Sequence, residues 1–108
     1  MKIVIPDDCQ KEIRRLSKKY VSIVNDFRNL LDTLQQNPFQ GDALGKNCYK
    51  VRMAITSKGV GKSYGARAVT CVKIINDTIY LLSVYDKPNK KDISDQELDF
   101  LLKQAGLK

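Results

Sequence analysis

Apolar residues recur along the chain with two different periods, and the change from one to the other divides it. Residues 2–5 form a short apolar run closed by Pro6, which reads as an edge strand. Pro6-Asp7-Asp8 then opens a helix, with Asp7 or Asp8 as cap and Gln10 three residues after Asp7. Ile13, Leu16 and Tyr20 follow at helical spacing. Ile23, Val24, Phe27, Leu30, Leu31 and Leu34 continue in steps of mostly three or four. Ser22 can cap a second helix, so the stretch predicts a helical hairpin or one bent helix, stopped at Asn37-Pro38. Its apolar stripe reads as core packing.

Residues 39–47, with Gly41 and Gly45, read as a loop, and after them the period becomes two. Tyr49, Val51, Met53 and Ile55 fall on one face of a strand, and Lys50, Arg52, Ala54 and Thr56 on the other. A glycine-rich basic loop, SKGVGKSYG, spans residues 57–65. A second strand covers about 66–75, Asn76-Asp77 makes a tight turn, and a third strand covers about 78–85. Strict alternation puts Ile79, Leu81, Ser83, Tyr85 and Lys87 on one face of that third strand, opposite Tyr80, Leu82 and Val84. Residues 86–92 form a loop. Ser94 with Glu97 is a capping box that opens a last helix through Leu98, Leu101 and Leu102 to Gly106. The predicted order is β-α-α-β-β-β-α, an α+β domain with helices on one face of an antiparallel meander. At 108 residues the chain is the length of one domain, 1–108.

Charge changes this picture because it is segregated. The net charge is +7, yet residues 46–91 alone carry ten basic and two acidic residues, whereas residues 92–108 carry two basic and four acidic. A basic central segment favours a polyanionic partner. The chain has no histidine, which excludes Ser-His-Asp and Cys-His catalysis and every His-containing metal site. Cys9, Cys48 and Cys71 form no CxxC pair, which argues against a zinc ribbon or a disulfide framework and fits a reducing cytosol. The N-terminus is too short and too acidic for a signal peptide, and no apolar run reaches membrane-helix length. No metal, cofactor or membrane is expected, and the expected location is cytoplasmic.

Gly61-Lys62-Ser63 is not a phosphate loop. The required earlier glycine is Thr56, and the segment leads into a strand rather than a helix. Asn76-Asp77-Thr78 matches a glycosylation sequon inside a hairpin turn and is read as chance. The loop 57–65 keeps two readings: a solubilising hairpin tip, or glycines that let backbone approach a phosphate while lysines neutralise it. Arg52, Arg67 and Lys87 would converge with Tyr85 beside that loop if the strand ends align, giving cations and an aromatic suited to a phosphodiester. Without histidine or an acidic pair, a general base for RNA cleavage could be a lysine whose pKa its cationic neighbours lower.

The run NPFQGDALGKNCYKVRMAITSKGVGKSYGARAVT, followed by IYLLSVYDK, resembles the RelE/ParE superfamily of bacterial type II toxins, and within it RelE- and HigB-like members. The likeness extends over nearly the whole chain. It implies two N-terminal helices against an antiparallel sheet, and a cognate antitoxin that wraps and neutralises the toxin. It also implies metal-independent cleavage of mRNA in the ribosomal A site through a basic site. The resemblance carries Arg67 of "GAR" over as phosphate stabiliser, with Lys87 of "YDK", the hairpin Lys58 and Lys62, Arg52 and Tyr85 completing the candidate catalytic set. Lys46, Lys50, Tyr64, Lys90 and Lys91 are candidates for RNA or ribosome contact. Tyr64 stands where many relatives have glycine, and residues 92–108 contain neither the tyrosine nor the histidine such nucleases use, so the general base stays open. Two alternatives remain: a ParE-like inhibitor of DNA gyrase without nuclease chemistry, and a non-toxic basic RNA-binding module.

Overall fold

A computed structural model describes residues 1–59, 61, 64–89 and 92–108. Its elements are β1 (Lys2–Val4), α1 (Asp7–Lys19), α2 (Ile23–Gln36), β2 (Asp42–Gly45), β3 (Cys48–Met53), β4 (Ala66–Lys73), β5 (Thr78–Asp86) and α3 (Asp95–Gln104). Short 3₁₀ turns follow β3 (Thr56–Lys58) and β5 (Lys87–Asn89). The five strands form one sheet in the order β1-β5-β4-β3-β2, with β1 parallel to β5 and the other neighbours antiparallel. The α+β class and the helical pair agree with the sequence.

Local chemistry explains each boundary. Pro6 caps α1 with its fixed φ, while Asp7 and Asp8 lie in the first turn, where the helix dipole favours carboxylates. Neither aspartate is the cap that the sequence suggested; Gln10 instead donates to the carbonyl of Ile5 at 2.8 Å. Ser22 does sit at the N-cap of α2, but its hydroxyl donates to the Asp26 carboxylate at 2.7 Å rather than capping the helix. The capping box of Ser94 and Glu97 is formed in both directions.

Three expectations are corrected. Residues 42–45, read as loop, are the edge strand β2, because a two-residue turn at Lys46 and Asn47 folds them back onto β3. The second strand stops at Lys73: Ile74 and Ile75 are exposed in a turn closed by Asp77, whose φ is +50°. And the helices do not share one face. Ile23, Phe27, Leu30 and Leu34 of α2 pack with Val51, Met53, Ala66, Ala68, Val72, Ile79, Leu81 and Val84. Leu98 and Leu102 of α3 pack on the opposite face, against Cys48, Val69, Cys71, Leu82 and Tyr85. The central strands are therefore apolar on both sides.

A bulge in β5 changes which residues join the second layer. Val69 pairs with Ser83 and Thr70 with Leu81, so Leu82 is an extra residue. Alternation slips by one position there, and Tyr85 moves to the face opposite Ile79 and Leu81, in contrast to the simple alternation read from sequence. Beyond the end of β1, α1 runs alongside β5: Ser83 donates to Glu12 at 3.0 Å and the Tyr20 hydroxyl donates to Asp86 at 2.6 Å.

Gly65 fixes how the basic loop rejoins the sheet. A Cβ there would lie 2.3 Å from the carbonyl oxygen of Met53 and 3.0 Å from the amide of Ile55. Both obstacles are backbone and cannot swing aside. Gly65→Ala is expected to lower stability by about 1–3 kcal/mol, the usual range for overpacking, in a urea unfolding titration.

Candidate functional site

The site lies at one end of the sheet, where β3 ends, β4 begins and β5 ends. Strand register places Arg52 opposite Arg67 and Arg67 opposite Tyr85, a row across three strands on the face covered by α3. Arg52 is exposed, and the end of β3 that carries it also borders, with Met53, Ala54 and Thr56, a cleft of about 200 Å³ on the α2 side, walled by Asp26, Asn29, Thr33 and Gln40. Arg67 is only 5% exposed, and its guanidinium donates to the carbonyl of Ala66 at 3.1 Å. An arginine keeps its charge even when buried, so Arg67 is a fixed positive charge beneath the surface. Tyr85 is also buried. Burial, then the negative charge of Asp92, raises its pKa against the opposing pull of Arg67. Its hydroxyl therefore keeps its proton at neutral pH.

The next residue points the other way. Asp86 is buried beside α1, where its carboxylate accepts from Tyr20 at 2.6 Å and from Lys58 at 2.7 Å, with Lys19 at 3.7 Å. Lys58 also donates to the carbonyl of Tyr64 at 3.1 Å, and its ammonium lies 5.0 Å from the ring centre of Tyr20. Burial works to raise the Asp86 pKa, but the hydrogen bonds and charges of Lys58 and Tyr20 outweigh it and hold the carboxyl below its ordinary 3.8. For Lys58, burial works to lower the pKa, and Asp86 and Tyr20 together raise it. Lys58 is thus a held cation at neutral pH. The idea that crowded cations depress a lysine does not apply to it, because its nearest charged neighbour is a carboxylate.

Lys87 lies between these two groups. Its amide donates to the carbonyl of Gly65 at 3.1 Å, and its ammonium sits 5.7 Å from the ring centre of Tyr64, which is 63% exposed. An exposed ring under a cation is a platform on which a nucleobase can stack.

Lys46 and Lys50 face the acidic C-terminal segment. Lys46 pairs with Asp99, which also takes Lys108 at 2.7 Å, and Lys50 pairs with Asp92 at 3.1 Å. Lys62, Lys90 and Lys91 lie outside the described residues. The register thus joins Arg52, Arg67 and Tyr85, and the loop brings Lys87 and Tyr64 to their rim. Lys58 is engaged on the other face, while Lys46 and Lys50 are drawn toward α3. Among the described residues no three Cys, Asp or Glu side chains cluster closely enough to hold a metal ion.

Sequence reasoning missed Asp86 and Tyr20. The signal for Asp86 was available, since a segment with ten basic residues has only Asp77 and Asp86 to pair with them. Tyr20 looked like one more member of the helical stripe.

The Asp86 cluster makes stability sensitive to acid. A carboxyl whose pKa is depressed by folding stabilises the native state above its unfolded value and loses that contribution as pH falls through the folded value. Unfolding free energy is therefore expected to drop as pH falls below 3.8. In Asp86→Asn, denaturant titrations across that window should give a shallower drop from a lower neutral-pH starting point.

No family model matches the chain, and no curated protein matches it in sequence. Solved structures do. A double arginine-to-alanine mutant of the E. coli toxin RelE in the free state superposes with a TM-score of 0.64 over 95% of each chain, at 17% identity. The chain has a RelE-like fold. The isolated E. coli RelE toxin gives a TM-score of 0.61 at 17% identity, over 94% of this chain and 96% of that one. The RelE mutant in complex with a peptide of the antitoxin RelB gives 0.60 at 15% identity, over 99% and 94%. The RelE-like fold thus extends over nearly the full length of the chain.

Proposed function

We propose that this protein is the toxin of a toxin–antitoxin pair and a metal-independent endoribonuclease that cuts mRNA in the ribosomal A site. The observation that carries the reading is the row Arg52–Arg67–Tyr85 at the open end of a RelE-like sheet, beside the Lys87–Tyr64 rim. In this reading the RNA backbone lies along the sheet end. Tyr64 stacks a base, and Lys87 and Arg52 neutralise flanking phosphates. Arg67 holds the charge that develops on the phosphate as the 2′-hydroxyl attacks. Tyr85 keeps its proton in the same row, and Lys58 is held by Asp86 at the base of the loop. The partner is an antitoxin, by analogy with the RelB peptide bound to the RelE mutant. The site of action is the cytoplasm.

Induction of the chain in a bacterial host separates this reading from gyrase inhibition. Growth arrest with new mRNA 5′ ends at fixed positions within codons is the expected outcome. Arrest with intact mRNA and a DNA-damage response would assign the fold to gyrase, and unimpaired growth would leave only RNA binding.

A further inference from the structure

Cys48 and Cys71 are partners in the β3–β4 register. The amide of Val72 donates to the carbonyl of Asn47 at 2.9 Å. That bond joins the residue after Cys71 to the residue before Cys48, which makes the two cysteines a non-hydrogen-bonded pair. In such pairs the Cα atoms lie about 4.5 Å apart and the side chains are at their closest. A disulfide requires Cα atoms about 4.4–6.8 Å apart, so the strands already satisfy it without moving.

A second feature brings the sulphurs together. Lys46 and Asn47 have φ of +58° and +63°, a type I′ turn in which a lysine occupies a left-handed position. The turn aims the Lys46 carbonyl at both thiols: Cys48 Sγ donates to it at 3.3 Å and Cys71 Sγ at 3.9 Å. The pair is buried under Leu98 and Leu102 of α3. The same Lys46, through Asp99, ties α3 to the turn, and Asp99 also holds Lys108. Solvent therefore reaches the thiols only when α3 lifts.

We propose that Cys48 and Cys71 form a redox-modification site: a cross-strand dithiol that a low-molecular-weight disulfide oxidises to an intramolecular disulfide, with docking of α3 as the gate. The thiolate of Cys71 attacks one sulphur of the oxidant and expels the other half as a thiolate. Cys48, losing its proton, then attacks the Cys71 sulphur and expels the second half. Two protein thiols and one small disulfide become one protein disulfide and two small thiols, so atoms and electrons balance. The roles follow from the surroundings. The close approach of Cys48, helped by Lys73, holds the Cys71 thiol low against burial, whereas Cys48 is raised by the proximity of Cys71 and by burial. The bridge would close a loop of 22 residues that holds Arg52, Lys58, Tyr64 and Arg67, and would restrain the candidate site. The inference stands whatever the substrate of that site.

The test treats the full chain with excess oxidised glutathione, followed by thiol counting and peptide mapping. The expected product is a monomer that has lost two hydrogens, with Cys48 linked to Cys71 and Cys9 free, and a higher melting temperature reversed by reductant. Asp99→Asn, which removes the tie to α3, should form the bridge several-fold faster. Thiols that survive prolonged oxidation, a lasting glutathione adduct, or a bridge to Cys9 or to a second chain would overturn the assignment. An unchanged rate in Asp99→Asn would overturn the gate.

Discussion

Arg67→Ala is expected to remove growth arrest and to lower RNA cleavage by about 10²–10³-fold, the usual effect of deleting one preorganised group that stabilises a transition state. The reasoning starts from burial. Arg67 is 5% exposed, and the register holds it between Arg52 and Tyr85. A charge fixed below the surface acts on phosphate at lower local dielectric than an exposed one and does not have to reorganise. Because a buried arginine also supports packing, alanine could lose activity by unfolding. Arg67→Lys resolves this: it keeps the positive charge and most of the stem but loses the planar fork. It should retain a cooperative melt close to the parent while cleavage stays well below it. Full toxicity of both variants would remove Arg67 from the site.

The second large effect concerns stability. Lys58→Ala leaves the Asp86 carboxylate buried with Tyr20 and the more distant Lys19 as its remaining described partners. Breaking a fully buried pair costs about 3–5 kcal/mol, and the 15% exposure of Lys58 places the expected loss near the lower end. Asp86→Asn in the Lys58→Ala background removes the stranded charge and should recover part of that loss. A double-mutant cycle read by denaturant unfolding checks the coupling. If Lys58→Ala kept full stability and lost only activity, Lys58 would be free to act on substrate and the structural pairing would be wrong.

Much of the fold was legible because its helices and strands announce themselves by period. The stripe from Ile13 to Leu34 reads as helix, with a hairpin and one bent helix both open, and Ser94 with Glu97 marks the start of α3. What stayed hidden depends on contacts distant in sequence. Asp42-Ala43-Leu44-Gly45 has no clear alternation and is a strand only because β3 lies beside it. The presence of Tyr85 under α3 depends on the bulge at Leu82, which puts it on the face of Cys48, Val69 and Cys71. The acidic tail was visible in the charge count, but its ties to Lys46 and Lys50 were not.

The candidate site divides in the same way. Arg52 and Arg67 were readable as members of neighbouring strands, and their register is what the hairpin connection allows. Tyr85 joins them for a reason opposite to the simple reading, since alternation slips before it. Lys58 looked like a free loop cation because its partner lies 28 residues on, at a position whose neighbours in sequence, Tyr85 and Lys87, face elsewhere. The basic segment is therefore not one uniform patch. It combines a fixed arginine–tyrosine row, a rim and a neutralised anchor.

Purified chain added to ribosomes stalled on a defined mRNA, with 5′ ends mapped by primer extension, tests the central claim most directly. The expected result is a discrete cut within the A-site codon, without added metal-dependent nuclease activity and strongly reduced with Arg67→Ala. Intact mRNA under conditions where the same preparation still arrests growth in cells would contradict it.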